Sequence, residues 1–200
     1  EIINLANIIL KRILPNSKIT LHINSLGTRE NLKNYKKVLS NFFSENKSFL
    51  SSESLDKINS NPLRILDSKN KQDKDVINKS PKILDFLSKE ALSDYEKIKK
   101  SLIDLNIPIY EDPTLVRGLD YYCNTVFEFK TNEIGSQDTL IGGGRYNGLI
   151  KTLGGKDIPG VGWAGGIERI MILMKNISTS DKAVHLAILD PGYKIHAIKV

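Results

Sequence analysis

Cysteine is almost absent from this 200-residue chain. The single Cys123 excludes an internal disulfide framework and a zinc site built from cysteines. It falls mid-strand by pattern, where a small apolar filler is a plainer role than a nucleophile. Histidine is scarce as well. His22, His185 and His196 stand far apart, none with a metal-ligating neighbour at helical spacing. His22 and His185 lie in strand patterns, so structural roles are expected. No apolar run approaches the ~20 residues that a membrane-spanning helix requires, and none is expected. No signal peptide opens the visible sequence. Position 1 is not Met and the sequence stops after Val200 inside a helical pattern, so the chain reads as a piece of a longer protein. Between residues 28 and 106 glycine is missing altogether.

What is present can build a core: 40% of residues are hydrophobic and 26% charged, with a formal net charge of +6. The positive balance suits a polyanionic partner without requiring one. Ile2, Leu5, Ala6, Ile9 and Ile13 have helical spacing over 2–14, and Pro15-Asn16-Ser17 ends that helix. Ile19, Leu21 and Ile23 alternate with polar residues as a half-buried strand does. The lysine-rich stretch 28–106 predicts helices over 29–44, 80–90 and 91–105. Thr28 and Ser80 stand at cap positions, Pro81 at a first helical position, and 61–79 reads as polar and irregular. Its lysines form either a solvated face or a nucleic-acid contact surface.

From Ile107 the pattern turns to β. Tyr121, Cys123, Thr125, Phe127 and Phe129 fall on one strand face, and Tyr122, Asn124, Val126, Glu128 and Lys130 on the other. A turn at 131–136 and a second strand from Thr139 complete a hairpin. A short helix follows over 146–153, ended by Gly154-Gly155, and then a short strand over Val161–Ala164. The next helix carries Ile167, Ile170, Met171 and Met174 on one stripe, with both methionines expected in the core. Ser178–Lys182 reads as a linker. Ala183–Leu189 reads as a buried strand and Pro191-Gly192 as the turn into a new helix, which together open a second domain.

Three segments carry the chemistry. Leu115-Val-Arg-Gly-Leu-Asp-Tyr-Tyr122 sets Arg117 beside Gly118 and just before two tyrosines. Gly142-Gly143-Gly144 precedes Arg145-Tyr146, at a strand end where bulky side chains would obstruct a ligand. Gly160 to Gly165 fits a dinucleotide fingerprint. Pro159 stands where that fingerprint needs a strand, however, and the βαβ unit is missing. Gly162, Gly165 and Gly166 more simply allow close backbone approach and a strand-to-helix turn. Arg169, opposite the apolar stripe, is either solvated or a phosphate contact near a helix N-terminus. Arginine forks and tyrosine hydroxyls suit a phosphate together with a small polar ligand. Tyr121 and Tyr122 point to opposite faces of a regular strand, so both meet one ligand only if the strand twists or bulges.

These segments resemble the histidyl-tRNA synthetase family of class II aminoacyl-tRNA synthetases. Leu115–Tyr122 is similar to the family's own signature, and Gly143-Gly144-Arg145-Tyr146 with Gly148-Leu149 to its second. Val161-Gly162 through Gly166-Ile167-Glu168-Arg169 is similar to the third class II motif. Ile23–Gly27 and Asn61–Asp67 resemble the start and interior of the family's insertion domain. Asn147 departs from the pattern, since aspartate is usual there. The resemblance implies an α+β fold, a class II synthetase-type antiparallel sheet flanked by helices. The catalytic domain would comprise 1–27 and 107–177, a helical insertion 28–106, and the start of an α/β anticodon-binding domain 183–200.

The resemblance also implies a histidine–tRNA ligase that forms histidyl-adenylate from histidine and ATP and charges tRNA(His). A synthetase-like regulatory subunit of histidine biosynthesis, without aminoacylation, is the alternative. Arg117 is implied as catalytic, near the α-phosphate and the histidine carboxylate. Tyr121, Tyr122, Tyr146, Gly143 and Gly165 join it in holding histidine. Arg169, Gly162 and Gly166 are implied to hold ATP, which brings Mg²⁺. The full-length protein would be a cytoplasmic homodimer, with its adenine and imidazole contacts before residue 1, and the piece alone inactive.

Overall fold

The computed structural model describes residues 1–135, 138–174 and 190. The linker, strand and domain start expected over 178–200 lie outside the described residues, as do His185, His196 and residue 136 of the expected turn. The elements in chain order are α1 (Ile2–Ile13), β1 (Thr20–Ser25), α2 (Arg29–Glu45), α3 (Ser52–Leu55), α4 (Leu63–Leu66), α5 (Lys74–Lys79) and α6 (Lys89–Asp104). Then come β2 (Ile109–Glu111), β3 (Cys123–Lys130), β4 (Thr139–Arg145), α7 (Leu149–Thr152), β5 (Val161–Gly165) and α8 (Ile167–Leu173).

The five strands form one sheet in the order β2-β1-β3-β4-β5. The β1-β3-β4-β5 part is antiparallel, as expected, but β2 joins the β1 edge in parallel, so the sheet is mixed. The 16-residue crossover helix α6 makes that parallel pairing possible, because a tight turn cannot join parallel neighbours. One sheet face presents Leu21, Ile23, Phe127, Phe129 and Ile141 to Ile3, Ala6 and Leu10 of α1 and to Tyr95 and Leu102 of α6. The other face meets a second core, built by the helices from α2 onward, through Leu115, Val116, Tyr122 and Val126. Trp163 of β5 donates to the Ile2 carbonyl (3.2 Å) and ties the β5 edge to α1.

The helix over 2–14 forms, but its buried stripe is Ile3, Ala6 and Leu10, while Leu5 and Ile13 face outward. With apolar residues on every side, α1 takes its orientation from the sheet. Helix α2 begins where expected. The Thr28 hydroxyl accepts from Asn31 N (3.3 Å) and the Asn31 side chain accepts from Thr28 N (3.0 Å), a reciprocal cap. Its buried residues Leu32, Tyr35, Leu39 and Phe43 lie on one helical face.

No helix spans 80–90. Ser80 ends α5, donating to the Ile77 carbonyl (2.7 Å), and Pro81 just beyond acts as a stop rather than a start. Only a 3₁₀ turn forms at Ile83–Phe86. The next helix waits for Ser88, whose hydroxyl accepts from Ala91 N (3.2 Å). The 61–79 stretch is more ordered than its composition suggests, containing α4, a 3₁₀ turn and α5. Asp73 explains this. It is fully buried and accepts from Ser51 N (2.7 Å), Ser51 Oγ (2.8 Å), Ser54 Oγ (2.6 Å) and Ser68 Oγ (2.5 Å). Burial pushes its carboxyl up, but these bonds outweigh burial and hold it below the ordinary value of 3.8. In α8 the buried residue is Leu173, whereas Ile167 and Met171 are exposed and Met174 only partly buried. The expected stripe is rotated because α8 packs by its Leu173 side.

Replacing Asp73 with alanine strands three serine hydroxyls and one amide in the interior. The expected loss is about 3–5 kcal/mol in denaturant unfolding. A loss below about 1 kcal/mol would show that Asp73 does not organise this block.

Candidate active site

The 115–122 loop is pinned at both ends by the last residues of β1 and those just after it. At its start, Asn24 Nδ2 donates to the Leu115 carbonyl (3.0 Å). At its end, Asn124 N donates to the Gly27 carbonyl (2.7 Å) and the Asn124 carbonyl accepts from Leu26 N (2.7 Å). Asn124 has φ 49, a left-handed conformation that asparagine tolerates better than most residues, and the β3–β4 register shifts between Cys123 and Val126. The strand expected to begin at Tyr121 begins only at Cys123, so Tyr121 and Tyr122 precede β3 and are not held to opposite strand faces; their rings lie 4.6 Å apart between centroids. Tyr146 meets both edge-on, at 6.0 Å and 6.2 Å.

Arg117 lies against the sheet. Its guanidinium pairs with Glu128 of β3, and its Cζ lies 5.6 Å from the centre of the Tyr122 ring. Glu128 is only 12% exposed at its side chain. Its second oxygen accepts from Thr139 Oγ1 (2.9 Å) and lies 3.3 Å from Lys130 Nζ. The glycine run is mid-strand rather than at a strand exit, since β4 continues to Arg145. A Cβ on Gly142 would come within 2.5 Å of Arg117 Nη1. A Cβ on Gly144 would come within 2.9 Å of the Tyr122 ring and 2.7 Å of the Thr125 carbonyl oxygen. Bare backbone at these two positions lets the cation and the ring lie flat on the sheet. Burial and the neighbouring Tyr121 raise the Tyr122 hydroxyl above its ordinary value of 10.0, with Arg117 pulling the other way.

The remaining candidates divide. Tyr146 lies over β5, its hydroxyl 2.9 Å from where a Gly162 Cβ would be. Arg169 donates to the Thr139 carbonyl (2.6 Å), so Thr139 links Arg169 to Glu128 and through it to Arg117. Gly166 caps α8 and packs against the Arg169 stem. Gly143 and Gly165 pair with Phe127 and Ile141 and so belong to the opposite sheet face. Asn147 accepts from Gly160 N (3.3 Å), a contact that an aspartate oxygen would also make. Cys123 is buried as a filler. His22 Nδ1 lies 3.1 Å from Asp112 Oδ2, a structural contact. Glu128, Thr139 and Asn24 were not singled out as site residues. The available signal was an acidic residue between two phenylalanines, Phe127 and Phe129, where a buried charge needs a cation close by.

The mixed sheet, the helical block on one face and the arginine–tyrosine site define a class II aminoacyl-tRNA synthetase fold. The histidyl-tRNA synthetase family model matches residues 1–170. The histidine–tRNA ligase of Anaplasma phagocytophilum is 41% identical over 200 residues, 100% of this chain and 48% of that protein. The ligase of Rippkaea orientalis is 44% identical over 179 residues, 90% of this chain and 42% of its own. The crystal structure of the apo histidyl-tRNA synthetase of S. aureus superposes with a TM-score of 0.62 at 34% identity, covering 86% of this chain and 42% of that one. The chain belongs to the histidyl-tRNA synthetase family and spans about half the length of the curated relatives it matches.

Burial pushes the Asp112 carboxyl up, but hydrogen bonds from His22 and Thr114 and the charge of Lys130 outweigh burial and hold it at about 2. Because this lies below the ordinary 3.8, the stabilisation is present above pH 4 and lost as pH falls through about 2. Asp112→Asn should cost about 2 kcal/mol at pH 7. In unfolding titrations the gap to the parent should close between about pH 4 and 2. A gap independent of pH would show that the carboxylate charge is not what stabilises.

Proposed function

We propose that the full-length protein is a histidine–tRNA ligase. It activates L-histidine with ATP and transfers the histidyl group to the 3′ end of tRNA(His). The observation that carries this reading is Arg117 lying flat beside three clustered tyrosines. Its Nε is buried and, among the described residues, has no hydrogen-bond partner.

In the first step a carboxylate oxygen of histidine attacks the α-phosphorus of ATP. A new P–O bond forms, the bond to the bridging oxygen breaks, and pyrophosphate leaves with the electron pair. Negative charge builds on the α-phosphoryl oxygens. Arg117 is aligned before the substrate arrives and stabilises that charge more than the ground state. Glu128 holds the guanidinium in plane, so no reorientation is needed at the moment of reaction. Tyr121, Tyr122 and Tyr146 wall the amino-acid pocket and offer hydroxyls to the imidazole and amino groups. Gly143 and Gly165 shape its floor from behind. Arg169 takes the ATP tail, with Gly162 and Gly166 leaving room at the β5–α8 turn. Mg²⁺ would accompany ATP as part of the substrate complex and would offset charge on its phosphates.

Residues 1–27 and 107–177 belong to the catalytic domain in this reading. The basic helical block within 28–106 contacts tRNA, and 183–200 opens the anticodon-binding domain. The protein works as a cytoplasmic homodimer. The regulatory alternative has weaker support. A solved ATP phosphoribosyltransferase regulatory subunit/histidyl-tRNA synthetase of Bacillus halodurans C is similar in fold, with a TM-score of 0.55 at 20% identity, and sequence similarity is far higher to proteins named ligases.

The full-length protein should catalyse histidine-dependent ATP–pyrophosphate exchange. Arg117→Ala should lower kcat by ~10²–10³ in protein that is still folded, and should also lower stability in unfolding because Glu128 loses its partner. Exchange driven by a different amino acid, or none from folded parent protein, overturns the reading. Histidine binding without tRNA charging would favour the regulatory alternative.

A further inference from the structure

The loop that carries Arg117 is pinned at its ends but exposed in its middle, where Gly118, Leu119 and Asp120 face outward. Three side chains from the helical block reach this middle. Arg64 Nη2 of α4 donates to the Gly118 carbonyl, and the Arg64 guanidinium packs flat on Gly118, 3.4 Å from where a Cβ would stand. Asp120 Oδ1 accepts from Asn61 Nδ2 (3.4 Å) and lies 3.5 Å from Lys36 Nζ. Arg64 itself sits on a firm base. Its neighbours Leu63, Ile65 and Leu66 are all buried in the helical core.

The carbonyl that Arg64 holds belongs to Gly118, the residue after Arg117. Release of the backbone there would let the loop shift and would carry the Arg117 side chain off Gly142 and away from Glu128. We infer that Arg64 is a positioning residue for Arg117: by fixing the Gly118 carbonyl from the helical block, it sets where the catalytic guanidinium points. This rests on the reading above that Arg117 acts on the adenylation phosphate. Arginine suits the task because one planar group both donates to the carbonyl and stacks on the glycine. Lysine can donate but cannot stack. A displacement of about 1 Å at a catalytic group can cost on the order of 10² in rate.

The test uses the full-length protein. Arg64→Ala should lower kcat for histidine-dependent exchange by ~10–10², with a smaller change in the KM for histidine. Arg64→Lys should restore part of the loss. In an Arg117→Ala background Arg64→Ala should cost nothing further, because its effect passes through the missing side chain. Should Arg64→Ala fold poorly, Arg64→Gln takes its place in the same cycle. Independently of activity, amide hydrogen exchange across 116–120 should speed up in Arg64→Ala, while that of β3 and β4 stays unchanged. Full kcat in Arg64→Ala, additive losses in the double variant, or unchanged exchange across 116–120 each overturn the inference. An inactive parent protein overturns the functional reading instead, and the amide exchange still decides whether Arg64 holds the loop.

Discussion

The pairing of Arg117 with Glu128 on a bare strip of sheet is the constraint around which the described structure is organised. Glu128 points from a strand whose neighbours Phe127 and Phe129 are in the core, so its charge needs compensation close at hand. Arg117, Lys130 and Thr139 provide it. The guanidinium can come so near only because Gly142 has no side chain. Removing either member of such a pair leaves the other uncompensated, so the pair holds the 115–122 loop against the sheet.

That loop is also where the two cores meet. Leu115, Val116 and Tyr122 bury themselves in the helical block, while the strands beneath them pack against α1 and α6. The block is therefore part of the site's scaffold. It covers the loop, and Arg64 and Asn61 reach its exposed middle. Helix α6 packs on the sheet face opposite the block and makes β2 a parallel edge strand.

Much of this was legible before folding was considered. The hairpin, β1, α2 and α6 followed from alternation, helical spacing and caps, all set by residues within a few positions of one another. The motif segments marked Arg117 and the three tyrosines. Other features depended on distant partners. Asp73 organises the 51–73 region through serines up to 22 residues away, which no local pattern displays. Ser80-Pro81 carries a signal that can open or close a helix, and the preceding turn of α5 decided for closure. The expected stripes of α1 and α8 are only partly the buried ones, with Ala6 in the first and Ile170 and Met174 in the second against the core, for a related reason: both helices are apolar on several sides, so spacing alone selects no single face.

The chain's linear order thus settled which segments become helix or strand, and which residue types are available for phosphate and amino-acid chemistry, because those properties depend on near neighbours and side-chain identity. Folding in space settled which of those residues stand together. The loop ahead of β3 set Tyr121 and Tyr122 side by side, β4 laid its glycines beneath Arg117, and α4 delivered Arg64 to the loop beside it. These are contacts between segments remote in sequence, and they exist only once two hydrophobic cores have closed on opposite faces of one sheet.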